Sequence, residues 1–325
     1  MVCFRMKYNS RFNSVRPHIN YGHPCPNYRF TKKIGDGSAS KIYKCQHVGK
    51  LSQQSSAENE LCIIKVIHKS EEWKAELNIL KMLKKSDRIL GLMDHFISDR
   101  FVYIVTQFYE GFDLFDHIDL NVPLSEEYSL KLLREMAICV KECHDQNIAH
   151  LDIKCENFMV RKMDPPQLVL IDFGHAEFID KKQIKQGYSK YGTCFYLCPE
   201  GYFNYYSSKS DIWSLGICLY LFITGDYPFY GDDDEYEKNV VNKNIKIDLE
   251  KLSPKLRSPT DSTVVRSSIA STQSVVRSSI ASTPNVVRAQ TSFASVVLRI
   301  LDVCLNYNPK ERATIEELIE LLPKE

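Results

Sequence analysis

The order His150, Leu151, Asp152, Ile153, Lys154, Cys155, Glu156, Asn157, followed by Asp172, Phe173 and Gly174, constrains this chain more than any other stretch. Asp and Asn are ordinary turn formers, so a polar loop between two hydrophobic elements would account for any one of them. Isolated residues of these types are common, whereas the whole ordered set is not. With 325 residues, 44% hydrophobic and 26% charged, the chain can fill one large domain or two modest lobes.

The stretch resembles the H-R-D-x-K-x-x-N catalytic loop and the D-F-G metal motif of protein kinases, with Leu151 where the family usually has arginine. Phosphoryl transfer spreads negative charge over a moving group, so a catalyst must position two oxygens and neutralise charge with metal ions. The resemblance implies that Asp152 orients the substrate hydroxyl and accepts its proton, and that Lys154 stabilises the transferring phosphoryl. Asn157 and Asp172 would hold Mg2+, a hard cation suited to oxygen ligands.

Upstream, Phe30 to Lys44 alternates toward a hairpin, with Ile34, Gly35, Asp36, Gly37, Ser38, Ala39, Ser40, Lys41 and Ile42 at and around its turn. This resembles the G-x-G-x-x-G-x-V loop that covers the phosphates of ATP, where glycines let backbone amides approach closely. Ser40 replaces the third glycine, which predicts a stiffer loop, and an ordinary hairpin turn is the alternative. Leu61 to Ile67 is an apolar run holding Lys65, and it resembles the V-A-I-K strand. A lysine facing a core needs a partner, unless it snorkels to the surface. The expected partner is Glu76, on a helix from about Ser70 to Lys84 with Trp73, Leu77, Leu80, Met82 and Leu83 on its apolar side. The interval is shorter than the family usually shows, which leaves the first turn of the helix open, and Glu72 is the reserve candidate. Phe101 to Thr106 reads as a strand, and Gln107 to Asp113 resembles the hinge between kinase lobes or else a plain strand-to-helix loop. The resemblance sets adenine against the backbone of Gln107 and Tyr109, Thr106 as a small gatekeeper, and Asp113 near the ribose.

Downstream, Leu124 to Asn147 has helical periodicity, with Leu130, Leu133, Ala137, Val140 and Cys143 or His144 on related faces. Gly192 to Glu200 resembles the end of a kinase activation segment, and Thr193 together with Lys154 is the signature of serine/threonine specificity. Asp211 resembles the aspartate that holds the catalytic-loop backbone, and Arg312 the late arginine that pairs with Glu200. Because Leu151 cannot bind a phosphate as the usual arginine does, activity should not strictly require phosphorylation of Tyr188, Ser189 or Tyr191. Kinase assay of a triple substitution at these positions checks this, and loss of activity with the fold intact would count against it.

The resemblance runs from about Tyr28 to Leu322 and implies an α+β, two-lobed protein kinase fold. We expect a basic arm at 1–27, a β-rich lobe with one main helix at 28–106, a hinge at 107–111 and a mainly helical lobe at 112–322. A polar insert at 47–60 reads as a surface loop. A second insert, at 253–291, holds V-V-R-S-S-I-A-S-T from Val264, again from Val275, and a degraded copy from Val286, an eleven-residue period too short and hydroxyl-rich for a solenoid. It reads as a disordered loop, or as a docking or regulatory segment through Arg266 and Arg277 beside their serines.

The net charge of +1 excludes an overall bias toward nucleic acid or anionic membrane. The eleven cysteines lack paired zinc spacing and predict reduced, mostly buried thiols. Met1 to Phe30 has no apolar run of a signal peptide, and Ile212 to Thr224 is too short to cross a bilayer, so cytosol or nucleus is expected. The flavour is that of calcium/calmodulin-dependent kinases, although no basic amphipathic tail supports calmodulin binding. The implied activity is transfer of the γ-phosphoryl of ATP, with Mg2+, to serine or threonine of protein substrates by a monomer. Acids at Asp113 and Glu156, with Asp232 to Glu235, favour basic peptides, unless the acidic run merely complements a helix N-terminus. The alternatives are a weak pseudokinase scaffold and a small-molecule kinase.

Overall fold

Antiparallel pairing builds the first part of the chain. Strands β1 (Tyr28–Asp36), β2 (Ser40–His47), β3 (Leu61–His68), β4 (Leu92–Ile97) and β5 (Phe101–Gln107) form one sheet in the order β1-β2-β3-β5-β4. Period-two alternation directs Tyr43, Cys45, Cys62, Ile64, Tyr103 and Val105 into a shared core with Tyr28. One helix, α1 (Lys74–Leu83), accompanies the sheet. This computed structural model describes residues 27–36, 40–48, 60–119, 122–163, 165–180, 183–187, 192–229, 231–242 and 293–324. The basic arm before residue 27, the turn Gly37, Ser38 and Ala39, most of the polar insert, Tyr188, Ser189, Tyr191 and the repeats lie outside the described residues.

The chain divides into two units, Met1–Glu110 and Gly111–Glu325. The second is mainly helical: α2 (Leu114–Asp119), α3 (Glu126–His144), α4 (Ser208–Thr224), α5 (Asp233–Val241), α6 (Phe293–Cys304) and α7 (Ile315–Leu321). The expected α+β class therefore holds, with a β-rich part bearing one helix and a mainly helical part. Ser125 caps α3 by accepting the Tyr128 N–H, and Leu130, Leu133, Ala137, Val140, Cys143 and His144 are all buried, both of the last pair included. The apolar run of α4 is buried nearly throughout, started by a capping box at Ser207 and ended by Gly225 at φ 73°. Among the described residues no helix is long and apolar enough to cross a membrane. The described cysteines are free thiols, all buried except the partly exposed Cys194.

Two expectations need correction. The helix predicted from Ser70 begins at Lys74, because the chain first turns at His68 to Glu71, where Glu71 N–H donates to His68 O at 2.9 Å, and Trp73, at the N-cap, supplies no side-chain cap. Its buried side is Leu77, Ile79, Leu80 and Leu83, while Met82 is 51% exposed. At 3.6 residues per turn Ile79 shares the face of Glu76, Leu80 and Leu83, whereas Met82 projects away from it.

Two small ribbons fix the loop from His150 to Asn157 in the second unit. Strand β6 (Ile148–Ala149) pairs with β9 (Glu177–Phe178), and β7 (Phe158–Met163) pairs with β8 (Pro166–Leu170). The loop from His150 to Asn157 thus leaves β6 and enters β7, while Asp172 sits between β8 and β9. Both segments are pinned at both ends against each other, which restricts their freedom before any side chain acts. Another ribbon joins β10 (Lys185–Gln186) to β11 (Tyr205–Tyr206).

Candidate active site

Asp211, fully buried on α4, fixes the turn that presents Asp152. Its Oδ2 accepts from His150 N–H at 2.9 Å and from His144 Nε2–H at 2.8 Å, and its Oδ1 accepts from Leu151 N–H at 2.8 Å. Those bonds hold Leu151 at φ 63°, a left-handed conformation that a γ-branched residue keeps only when its surroundings demand it. Gly192, at φ 90°, lies so close that a Cβ there would come within 2.6 Å of Leu151 O, so glycine alone fits. His150 is neutral: burial pushes its pKa down, its Nε2–H donates to Ile171 O at 3.1 Å, and its Nδ1 accepts from Asp152 N–H at 3.3 Å. Its ring also meets Phe173 edge-on, with centroids 5.0 Å apart.

Around Asp152 the polar side chains close a ring. Lys154 Nζ donates to Asp152 Oδ2 at 2.7 Å and to Thr193 Oγ1 at 2.7 Å, and Thr193 O–H donates to Asp152 Oδ1 at 2.9 Å. Asn157 Nδ2 donates to Asp152 O at 2.7 Å and to Oδ2 at 3.0 Å. Burial would raise the Asp152 pKa, but the Lys154 ammonium and the Thr193 hydrogen bond outweigh it and hold the carboxyl below its usual range. A carboxylate offers about four lone-pair sites, so the three donors leave room for one hydroxyl.

The same bonds orient Asn157. With both amide hydrogens given to Asp152, its side-chain oxygen is the atom left for another partner. Asp172 is exposed at φ 59°, follows Ile171 whose N–H donates to Asn157 O at 2.9 Å, and accepts from Gly174 N–H at 3.3 Å. An amide oxygen and a carboxylate on adjacent backbone form an oxygen donor set of the kind a hard divalent cation takes.

Elsewhere the predicted residues fall as follows. Within the first unit, Lys65 Nζ lies 2.8 Å from Glu76 Oε1, with both side chains largely buried, while Glu72 is exposed before the helix. Ile34, Gly35 and Asp36 end β1, Ser40, Lys41 and Ile42 open β2, and Gly35 and Asp36 oppose Ile42 and Lys41 in register. Gln107 ends β5, and its Oε1 accepts from the Tyr109 O–H at 2.8 Å. In the second unit, Asp113 Oδ1 accepts from Asp116 N–H at 2.8 Å at the start of α2, so one oxygen is spent as a helix cap. Glu200 takes both Arg312 Nη atoms, at 2.6 and 2.9 Å. Asp232 caps α5 by accepting the Glu235 N–H at 3.1 Å, so the acidic run does complement a helix N-terminus.

One functional contact went unread in the sequence. His144 counted only as a possible core position, yet it is the side chain that completes the Asp211 hydrogen bonds. Helical spacing marks such a residue as buried and carries no signal of the acid it meets.

A family model for the protein kinase domain matches residues 28–321. The chain belongs to the protein kinase family. Similar kinases include calcium-dependent protein kinase 27 of Arabidopsis thaliana, 29% identical over 227 residues, covering 68% of this chain and 44% of that protein. Serine/threonine-protein kinase ULK3 of Xenopus laevis is 29% identical over 238 residues, 70% of this chain and 49% of that protein. Calcium-dependent protein kinase 21 of Arabidopsis thaliana is 27% identical over 229 residues, 70% of this chain and 42% of its own length. The chain thus spans less than half the length of these relatives.

Proposed function

We propose that this kinase transfers the γ-phosphoryl group of ATP to serine or threonine hydroxyls of protein substrates. The observation that carries the reading is the Lys154 ammonium bridging Asp152 and Thr193, one cation that touches both the proposed base and the threonine of the serine/threonine signature. Asp152 accepts the substrate proton at its carboxylate, and Lys154 neutralises charge on the moving phosphoryl. Lys65, positioned by Glu76, binds ATP phosphates, and Gln107 and Tyr109 present backbone to adenine. Asn157 and Asp172 would hold Mg2+, which when bound supplies charge neutralisation for the phosphates. The test is transfer of label from ATP, with Mg2+, to a basic serine peptide. If wild type transfers no more than Asp152→Asn, the chain is a pseudokinase.

Basic substrates are favoured by a specific observation. Glu156 Oε2 is buried and has no hydrogen-bond partner among the described residues, a costly state that a guanidinium would relieve. Burial raises the Glu156 pKa, with Asp113 and Asp152 adding to the rise against Lys154. Burial, with a contribution from the Asp116 charge, likewise raises Asp113. Glu156→Gln is expected to lower kcat/KM for a peptide with arginine upstream of the acceptor by about 10- to 100-fold. A peptide with alanine there should change little. Because only the ionised acid attracts arginine, the preference should fade as pH drops, beginning above the usual carboxylate range. Equal preference in both enzymes across that range would remove Glu156 from substrate selection.

A further inference from the structure

The β10–β11 ribbon exposes large apolar side chains beside a run of acids. Pairing sets Gln186 opposite Tyr205 and Lys185 opposite Tyr206. Strand alternation therefore puts Ile184 on the face of Gln186 and Tyr205, while Tyr206 turns to the other face and is buried. Gly187 N–H, bonded to Asn204 O at 2.8 Å, holds Phe203 at the end of the same ribbon. Ile184, Phe203 and Tyr205 are 46%, 59% and 41% exposed, and apolar groups gathered this way mark an interaction surface.

A run of acids leads the helix that packs on the turn ending at Phe203. Helix α5 packs on the 3-10 turns Cys194–Tyr196 and Pro199–Phe203, the second of which ends at Phe203. Tyr236 O–H donates to Phe195 O at 2.8 Å, and Tyr202 O–H donates to Cys194 O at 2.9 Å. Asp232 to Glu235, all exposed, lead this helix.

The described chain leaves α5 at Asn242 and returns at Phe293. Between them, Val264 to Thr291 carries Arg266, Arg277 and Arg288 and no lysine or acid. Each arginine follows a pair of valines, at eleven-residue intervals. An apolar pair followed by a cation is the complement of an apolar patch beside carboxylates.

We propose that these repeats dock in cis on the ribbon, with a Val-Val pair against Ile184, Phe203 and Tyr205 and the following arginine against Asp232 to Glu235. The segment departs from the helix that borders the patch, so tethering makes the contact intramolecular and raises its effective concentration. Three copies supply three equivalent occupants for one surface. The inference is one of binding and stands apart from catalysis.

The test replaces exposed Phe203 by the photoreactive p-benzoylphenylalanine in the full chain and maps the cross-linked peptides by mass. The expected product has monomer mass and joins position 203 to residues 264–291. Replacing Val264, Val265, Val275, Val276, Val286 and Val287 with serine should cut its yield at least about fivefold with thermal unfolding unchanged. Products of dimer mass would assign the patch to a second copy and overturn the proposal. So would cross-links to other residues, no cross-link, or a yield indifferent to the valines.

Discussion

Asp152→Asn is expected to lower kcat by about 10^2- to 10^4-fold, the range that general acid–base groups supply. Asn has the shape of Asp, and its amide can keep the ring closed. Its oxygen turns toward Lys154 and its nitrogen toward Thr193, which then accepts instead of donating. The variant should fold and melt like the wild type, since Asp211 still holds the loop through His150 and Leu151. It loses the lone pair that takes the substrate proton and the charge that balances Lys154. Steady-state kinetics on a serine peptide measures the loss, and a variant within about threefold of wild type would sink the assignment of Asp152 as base.

Arg312→Met is expected to destabilise the protein by about 3 to 5 kcal/mol. Arg312 is almost fully buried and spends its donors on Glu200 Oε1 and Oε2, Asn306 O and Lys209 O, with its guanidinium 5.2 Å from the Trp213 ring. Methionine fills part of the volume but leaves the Glu200 carboxylate without its bidentate partner and two carbonyls without donors. Burial alone would lower the Arg312 pKa, yet the Glu200 hydrogen bonds and charge raise it, so the cation persists at any working pH. The double variant Arg312→Met with Glu200→Gln should recover part of the loss, because an uncompensated buried charge is the largest component. Denaturant unfolding of the four proteins forms the cycle, and simple addition of the two single losses would show the pair uncoupled.

The candidate site residues were legible because chemistry restricts residue type: a base, a cation and two oxygen ligands at set intervals have few substitutes. Lys65 and Glu76 were readable for a related reason, since a lysine inside an apolar strand requires a partner. Helix boundaries were less legible. The interval before Glu76 left the first turn open, and only the backbone showed Trp73 at the N-cap and Met82 outside the core. The acidic run at Asp232 had two readings, and its first acid proved to be a helix cap.

The sequence by itself determined the family, the α+β class and the order of the residues that meet at Asp152, because each follows from local pattern and motif spacing. Tertiary structure alone decided how those residues are held. His144 reaches Asp211 across 67 positions of chain, and Arg312 reaches Glu200 across 112, distances over which no periodicity carries information. The left-handed turn at Leu151 is likewise a product of packing, since Asp211 and the close approach of Gly192 impose a conformation that leucine does not choose. Local pattern states which groups are available; the free energy of burying and pairing them fixes which ones touch.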